Sequence, residues 1–125
     1  MPYTINWTDN GVIWTYSGVL TGEELIESNM AIYSDPRFQK ISFQIVDLRA
    51  GTEFQVLQEH MVRIAELDTT ASVLNPEVKV AVVTNEVTGK HMNRTYSEHA
   101  PENHWETKVF NVYPQAYEWA AGQTD

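Results

Sequence analysis

The residues with the clearest chemical potential lie where an apolar run gives way to a polar one, in the segment FQIVDLRAGTEFQVLQEHMVRIA at positions 43–65. The apolar run predicts a buried strand whose last residues include Asp47 and Arg49, followed by a short loop that closes at Gly51. These two charged side chains are two residues apart and share one strand face. There they form either a structural ion pair or the polar corner of a binding crevice. Thr52 stands where a helix N-cap belongs, so the next helix is expected to begin there.

A second polar loop is expected beside the first. The run VKVAVV at positions 78–83 predicts another buried strand, with Thr84 and Asn85 in the loop that follows. A helix over residues 88–99 would carry Arg94 to the same edge. In open α/β sheets, ligands and partners dock at the carboxyl ends of strands, against helix N-termini. The predicted binding residues are Asp47, Arg49, Gly51, Thr52, Thr84, Asn85 and Arg94.

The histidines do not form a recognisable metal site. His91 and His99 are eight residues apart on the predicted helix, about 12 Å along its axis, which is too far to share one ion. The cluster of Glu98, His99, Glu102 and His104 lacks a recurring ligand spacing such as His-x-x-x-His. We therefore expect no metal and no other cofactor.

No nucleophile or phosphate-binding motif stands out either. The chain has no cysteine, its serines are not framed by glycines as in a nucleophile elbow, and it has no phosphate loop or dinucleotide fingerprint. His60 lies beside the apolar stripe of the helix predicted after Thr52, as a helix-flank residue would. An enzyme that used Asp47 or His60 as a base would lack a second catalytic partner, so we expect no enzymatic activity.

The composition is that of an acidic protein with one domain. Its 125 residues correspond to about one domain, expected to span residues 1–125. The net charge of −9 argues against binding to nucleic acid or anionic membranes, and favours solubility or a basic protein partner. The N-terminus lacks signal-peptide features, and no stretch is long and apolar enough to insert into a membrane. Because cysteine is absent as well, we expect a cytoplasmic location.

The chain opens with a hairpin pattern. Apolar and polar residues alternate on both sides of Asn10-Gly11, a pair that favours type I′ turns. With those two residues as the loop, Trp7 lies opposite Trp14 and Ile5 lies opposite Tyr16. One face of the hairpin is then continuously aromatic.

Strands then alternate with helices. Thr21 and Glu24 have capping-box spacing before a helix that ends at Asp35-Pro36, and a closing helix begins near Pro114. The predicted order is ββαβαβαβα, an α/β fold with a single-layer mixed sheet. Its N-terminal hairpin is antiparallel, and its remaining strands are mostly parallel.

With these elements assigned, the chain resembles STAS-like proteins, and among them the SpoIIAA-like group, along nearly its whole length. The resemblance rests on the order of elements and on short motifs, which are Gly18-Val19-Leu20-Thr21, Asp35-Pro36-Arg37-Phe38, Ile45-Val46-Asp47-Leu48-Arg49, Lys79-Val80-Ala81-Val82-Val83, Phe110 and Trp119. It implies a bacterial regulatory or protein-interaction module rather than an enzyme.

The sequence departs from the STAS pattern in the segment after the central strand. STAS domains that antagonise anti-sigma factors carry a phosphorylatable serine in the loop after a central strand, whereas residues 47–52 here read Asp-Leu-Arg-Ala-Gly-Thr. Thr52 is the hydroxyl residue of this segment. It serves either as the helix cap or as a phosphorylation site whose phosphate would sit at the helix N-terminus, near Arg49.

Two functions from different classes remain open. The first is a non-catalytic regulatory or protein-interaction module that docks through the Asp47–Thr52 loop and the following helix. The residues expected to face solvent or the partner there are Gln55, Glu59, Arg63 and Glu66. The alternative is a domain that binds or senses an apolar or lipid-like small molecule between helices and sheet. The aromatic residues that motivate it are Trp14, Tyr16, Trp105 and Trp119. Homodimerisation is also open, because an edge strand of an open sheet must be paired or covered.

Overall fold

The computed structural model describes residues 3–84 and 105–122, and within that part the backbone alone at residues 49–54. The strands are β1 (Tyr3–Trp7), β2 (Gly11–Thr21), β3 (Phe43–Gln55), β4 (Lys79–Val83) and β5 (Glu106–Phe110). The α-helices are α1 (Gly22–Tyr33), α2 (Gln58–Leu74) and α3 (Tyr113–Ala121), and a 3-10 helix spans Pro36–Lys40. The helix predicted over residues 88–99 lies outside the described residues.

The strands form one mixed sheet in the order β1-β2-β3-β4-β5. β1 pairs antiparallel with β2, and every later neighbour pair is parallel. The predicted α/β class, with an antiparallel hairpin leading into a parallel sheet, is confirmed. The strand order, which the sequence left open, follows the chain.

Helices cover both faces of this sheet. On one face α1 and α2 enclose a core that includes Trp14, Tyr16, Leu48, Ile32 and Ala71. On the other face α3 packs Ala116 and Ala120 against a second core. The strand residues of this second core are Phe43, Ile45, Ala81 and Val83. Burial on both sides explains why β3 and β4 read as near-continuous apolar runs.

The hairpin register differs from the predicted one. Trp7 pairs with Val12 and Ile5 pairs with Trp14. The Thr8 N–H donates to the carbonyl of Gly11 (2.8 Å), so the turn centres on Asp9-Asn10, one residue earlier than predicted. Moving the turn by one position shifts the pairing by two residues. Because strand faces alternate with a period of two, the aromatic side chains stay on the inner face.

Gly11 has a packing role rather than a turn role. Within the described chain the glycine with positive φ is Gly18, so Gly11 does not adopt the left-handed conformation that a type I′ turn requires. A Cβ atom at Gly11 would lie 2.3 Å from the ring of Phe43, its register partner on β3. The close approach of that buried ring therefore selects glycine here.

Asp35 joins the end of α1 to the edge hairpin. Its Oδ1 accepts the Arg37 N–H at 2.9 Å and Nε–H at 3.0 Å, and its Oδ2 accepts from Arg37 Nη2 at 2.8 Å. The same guanidinium lies 4.5 Å from the ring centroid of Trp7 on β1. One carboxylate thus caps the 3-10 helix and orients a cation on an aromatic ring.

The Asp35 pair predicts a specific acid response. Hydrogen bonds from Arg37 lower the pKa of Asp35 from 3.8 to about 2. A folded-state pKa below the unfolded one stabilises the fold above the unfolded pKa, and this contribution disappears as pH falls from about 4 towards 2. Asp35→Asn should therefore lower the melting temperature at pH 7 and flatten the change in unfolding free energy over that acid range. Urea unfolding at stepped pH measures this.

The matched control is Asp9→Asn, which removes an exposed carboxylate from the hairpin turn. It should leave the acid slope as in the unmodified chain. If Asp35→Asn and the unmodified chain lose stability in parallel below about pH 4, the Asp35–Arg37 pair has no linked effect on folding.

Candidate functional site

The predicted loop after Asp47 is a continuation of β3. The strand runs to Gln55, and α2 begins at Gln58 with Leu57 as its N-cap. The predicted loop over residues 47–52 and the predicted helix start at Thr52 are therefore wrong. The last five residues of β2 (17–21) supply the reason, because they pair with residues 50–55 and engage backbone groups that a helix would otherwise use. A phosphate on Thr52 would not lie at a helix N-terminus.

A distortion in β2 accompanies this extension. The β2–β3 register shifts between Thr15 and Ser17, and again between Ser17 and Val19. Gly18 lies at that point with φ of 68°. Bulges favour glycine at positive φ, because a Cβ atom is strained there. In the sequence the Ser17-Gly18 pair resembles a turn. The continuation of β2 beyond Gly18 is therefore difficult to recognise from the sequence.

The predicted binding residues divide into three groups. Asp47 is only 4% exposed and has Thr15 and Val83 as its register neighbours, and Thr84 directly follows Val83. Thr84 is also buried, and its N–H donates to the carbonyl of Phe110 at 3.0 Å. The structure thus brings the backbones of Asp47 and Thr84 close together at the carboxyl end of β4, which lies beside the middle of β3, and buries both residues.

The second and third groups carry less structural detail. The backbones of Arg49, Gly51 and Thr52 belong to β3, and their side chains lie outside the described part. Asn85 and Arg94 also lie outside it. A binding role for these residues stays a prediction.

The N-termini of α1 and α2 lie close together, at the C-terminal ends of the paired strands β2 and β3. Thr21 and Gln55, the last residues of the two strands, pair with each other. Thr21 Oγ1 accepts the Glu24 N–H at 3.2 Å, and Glu24 Oε1 accepts the Thr21 N–H at 3.0 Å. The predicted capping box of α1 is therefore confirmed.

His60 connects the two helix starts. Its Nδ1 accepts the Leu57 N–H at 3.0 Å, and its Nε2 lies 3.3 Å from Glu23 Oε2. A Cβ atom at Gly22 would lie 2.0 Å from His60 Nδ1, so the ring packs directly on the first turn of α1. Sequence reasoning missed this contact because leucine and histidine are not the usual capping-box pair. The sequence feature that could have indicated close packing here is the glycine at the first position of α1.

Glu23 carries the carboxylate in this corner, which is formed by the first turns of α1 and α2 around His60. A hydrogen bond from its own backbone N–H, followed by the contact with His60, lowers the pKa of Glu23. A carboxylate in the first turn also suits the positive end of the α1 dipole. Because Nδ1 of His60 accepts the Leu57 N–H, Nε2 is the ring nitrogen that faces the Glu23 carboxylate and can donate to it.

The outer side of α2 is an exposed helical surface that begins near His60. Glu59, Arg63 and Glu66 are exposed, as predicted, and Gln55 is exposed at the end of β3 rather than on the helix. In the last turn of α2 the exposed residues are apolar. Val73 is 68% and Leu74 is 57% exposed.

The described residues contain neither a metal-ligand cluster nor a membrane-spanning helix. They include no group of three or more His, Cys, Asp and Glu side chains arranged to hold a metal ion. Their helices include none that is both long and apolar enough to cross a membrane. The sequence cluster of Glu98, His99, Glu102 and His104 lies outside these residues.

Comparison with known proteins supports the fold. No protein-family model matches the chain, and no curated protein matches it at a significant level. Among solved structures it is similar to the crystal structure of an uncharacterised DUF3478-family protein with a SpoIIAA-like fold from Shewanella loihica PV-4. The TM-score is 0.55 at 17% identity, over 94% of this chain and 91% of that one. The predicted SpoIIAA-like fold is confirmed; at this identity the likeness concerns the fold alone.

The contact between His60 and Gly22 predicts that the effect of Gly22→Ala on stability changes sign when the His60 ring is removed. Gly22→Ala should destabilise the chain by about 1–3 kcal/mol, because the new methyl overlaps the His60 ring. In a His60→Ala background the same change should stabilise by roughly 0.5–1 kcal/mol, because alanine favours the helix over glycine. A double-mutant cycle in urea measures both values.

Gly18→Ala is the matched control. It faces open space but has positive φ, so it should cost about 1 kcal/mol in both backgrounds. An equal effect of Gly22→Ala with and without the His60 ring would show that the two residues are not in contact.

Proposed function

We propose that this protein is a non-catalytic regulatory module of the STAS-like type that binds another protein through the outer face of α2. The α2 outer face consists of Glu59, Arg63, Glu66, Thr70 and Val73, which are all exposed. Their spacing of four, three, four and three residues keeps them on one side of the helix. This continuous exposed face is the observation that carries the proposal.

The chemistry of the α2 outer face suits a protein partner. At 17 residues the helix is about 25 Å long. Charged residues occupy its first half, and the apolar side chains of Val73 and Leu74 stand in solvent at its end. Interfaces combine apolar contacts with a polar rim in this way. Glu59, Glu66 and the chain's net charge of −9 favour a partner surface rich in Lys and Arg.

The candidate bases are positioned for structure rather than for turnover. Both ring nitrogens of His60 are engaged, one by the Leu57 N–H and the other by Glu23. A general base needs a free lone pair within reach of a substrate proton. Asp47, the other candidate base, is buried within the sheet. These contacts support a binding role over an enzymatic one.

The fold likeness supports the proposal. The strand at residues 47–52, however, changes the docking surface that we propose. The sequence pointed to a loop at residues 47–52, yet this segment is strand paired with β2. The backbone groups on its β2 side are engaged in that pairing, and α2 is the exposed element that follows the central strand. We therefore assign docking to the α2 outer face rather than to a loop.

Site-directed photo-cross-linking in the host tests the proposal. With p-benzoylphenylalanine in place of Val73, we expect a discrete cross-linked partner. Excess unmodified chain should compete for it, and excess Glu59→Lys/Glu66→Lys chain should compete at least tenfold less well. The control probe replaces Val112, an exposed valine at the start of α3, and should give no such product. Equal products from both positions, or turnover that depends on Asp47 or Arg49, would contradict the proposal.

A further inference from the structure

Among the described residues, two buried hydrogen-bond donors in the core beneath α1 and α2 lack an acceptor. They are Trp14 Nε1 on β2 and Gln44 Nε2 on β3, and neither has a partner within the part of the chain that the structure describes. Trp14 is 3% and Gln44 is 2% exposed. Leaving a buried donor unpaired costs about 1–3 kcal/mol, so two of them in a small domain call for an explanation.

The two donors lie on the same face of adjacent strands. Trp14 pairs in register with Val46, and Gln44 lies two residues before Val46 on β3. Strand periodicity therefore places both side chains on the side of the sheet that α1 and α2 cover. From strand spacing and rise, their Cα atoms are about 8 Å apart, within joint reach of one small molecule.

The tyrosine hydroxyls near Trp14 already have hydrogen-bond partners. The Tyr16 hydroxyl is 2.7 Å from Ser28 Oγ, and the Tyr33 hydroxyl is hydrogen-bonded to Asn29 and Asp68. Trp14 lies edge-on to the rings of Tyr16 and Tyr33. Two buried donors without a protein partner, beside aromatic rings whose hydroxyls are already paired, leave hydrogen bonds for a bound acceptor to satisfy.

We propose that Trp14 and Gln44 form a binding site for a small neutral molecule with an apolar body and a carbonyl-type oxygen. An indole N–H can only donate, so the guest must supply the acceptor. The guest must be neutral because neither donor is charged, because the Asp68 carboxyl group lies in the same layer, and because the net charge is −9. This site is separate from the α2 outer face.

A neutral fluorescent ketone tests the proposal directly. The probe is 6-propionyl-2-dimethylaminonaphthalene, whose emission moves to shorter wavelength in apolar surroundings. We expect saturable binding by the full chain, and about tenfold weaker binding by Gln44→Leu and by Trp14→Phe, because each removes one hydrogen bond to the ketone. Gln44→Leu should unfold at the same or a higher temperature than the unmodified chain, because it removes a buried unpaired donor.

Two controls distinguish specific recognition of the ketone from nonspecific hydrophobic binding. Gln39→Leu, at an exposed glutamine of the 3-10 helix, should bind the ketone as the unmodified chain does. The same naphthylamine without its carbonyl should bind the unmodified chain and Gln44→Leu equally. No saturable binding by the unmodified chain, or equal ketone affinity in Gln44→Leu, would overturn the proposal, and neither result bears on protein docking at α2.

Discussion

The parallel pairing of β2 with β3 is the constraint on which the rest of this structure depends. It runs from Gly11 opposite Phe43 to Thr21 opposite Gln55, well past the end of β4. Because both strands end together, the helices that follow them start together and pack side by side on one face. The contacts of His60 with Gly22 and Glu23 follow from that shared start.

The same pairing separates the enclosed layer and the exposed helix face on which the two proposals rest. Holding α1 and α2 against one face of the sheet encloses Trp14 and Gln44 beneath them. It leaves the opposite side of α2 in solvent, with charged residues first and Val73 and Leu74 last. One strand pair therefore defines both the enclosed layer proposed to bind a small molecule and the exposed helix face proposed to bind a protein.

The sequence predicted those features that depend on local patterns. The capping box at Thr21, the helix end before Pro36 and the buried strands were all readable, because each rests on short-range spacing. The strand over residues 50–55 was not readable, because Thr52 and Gln55 also match a capping box and pairing with β2 overrode that preference. The unpaired donors of Trp14 and Gln44 were also hidden, since a side chain's partners depend on its tertiary neighbours.

The most direct test of this account is the backbone conformation of residues 49–55 in solution. Nuclear Overhauser effects from an isotope-labelled sample distinguish the two alternatives. We predict cross-strand backbone contacts between Val19 and Glu53 and between Leu20 and Phe54, as the β2–β3 register requires. Helical contacts between residues three apart, beginning at Thr52, would contradict the pairing and with it the placement of both helix starts.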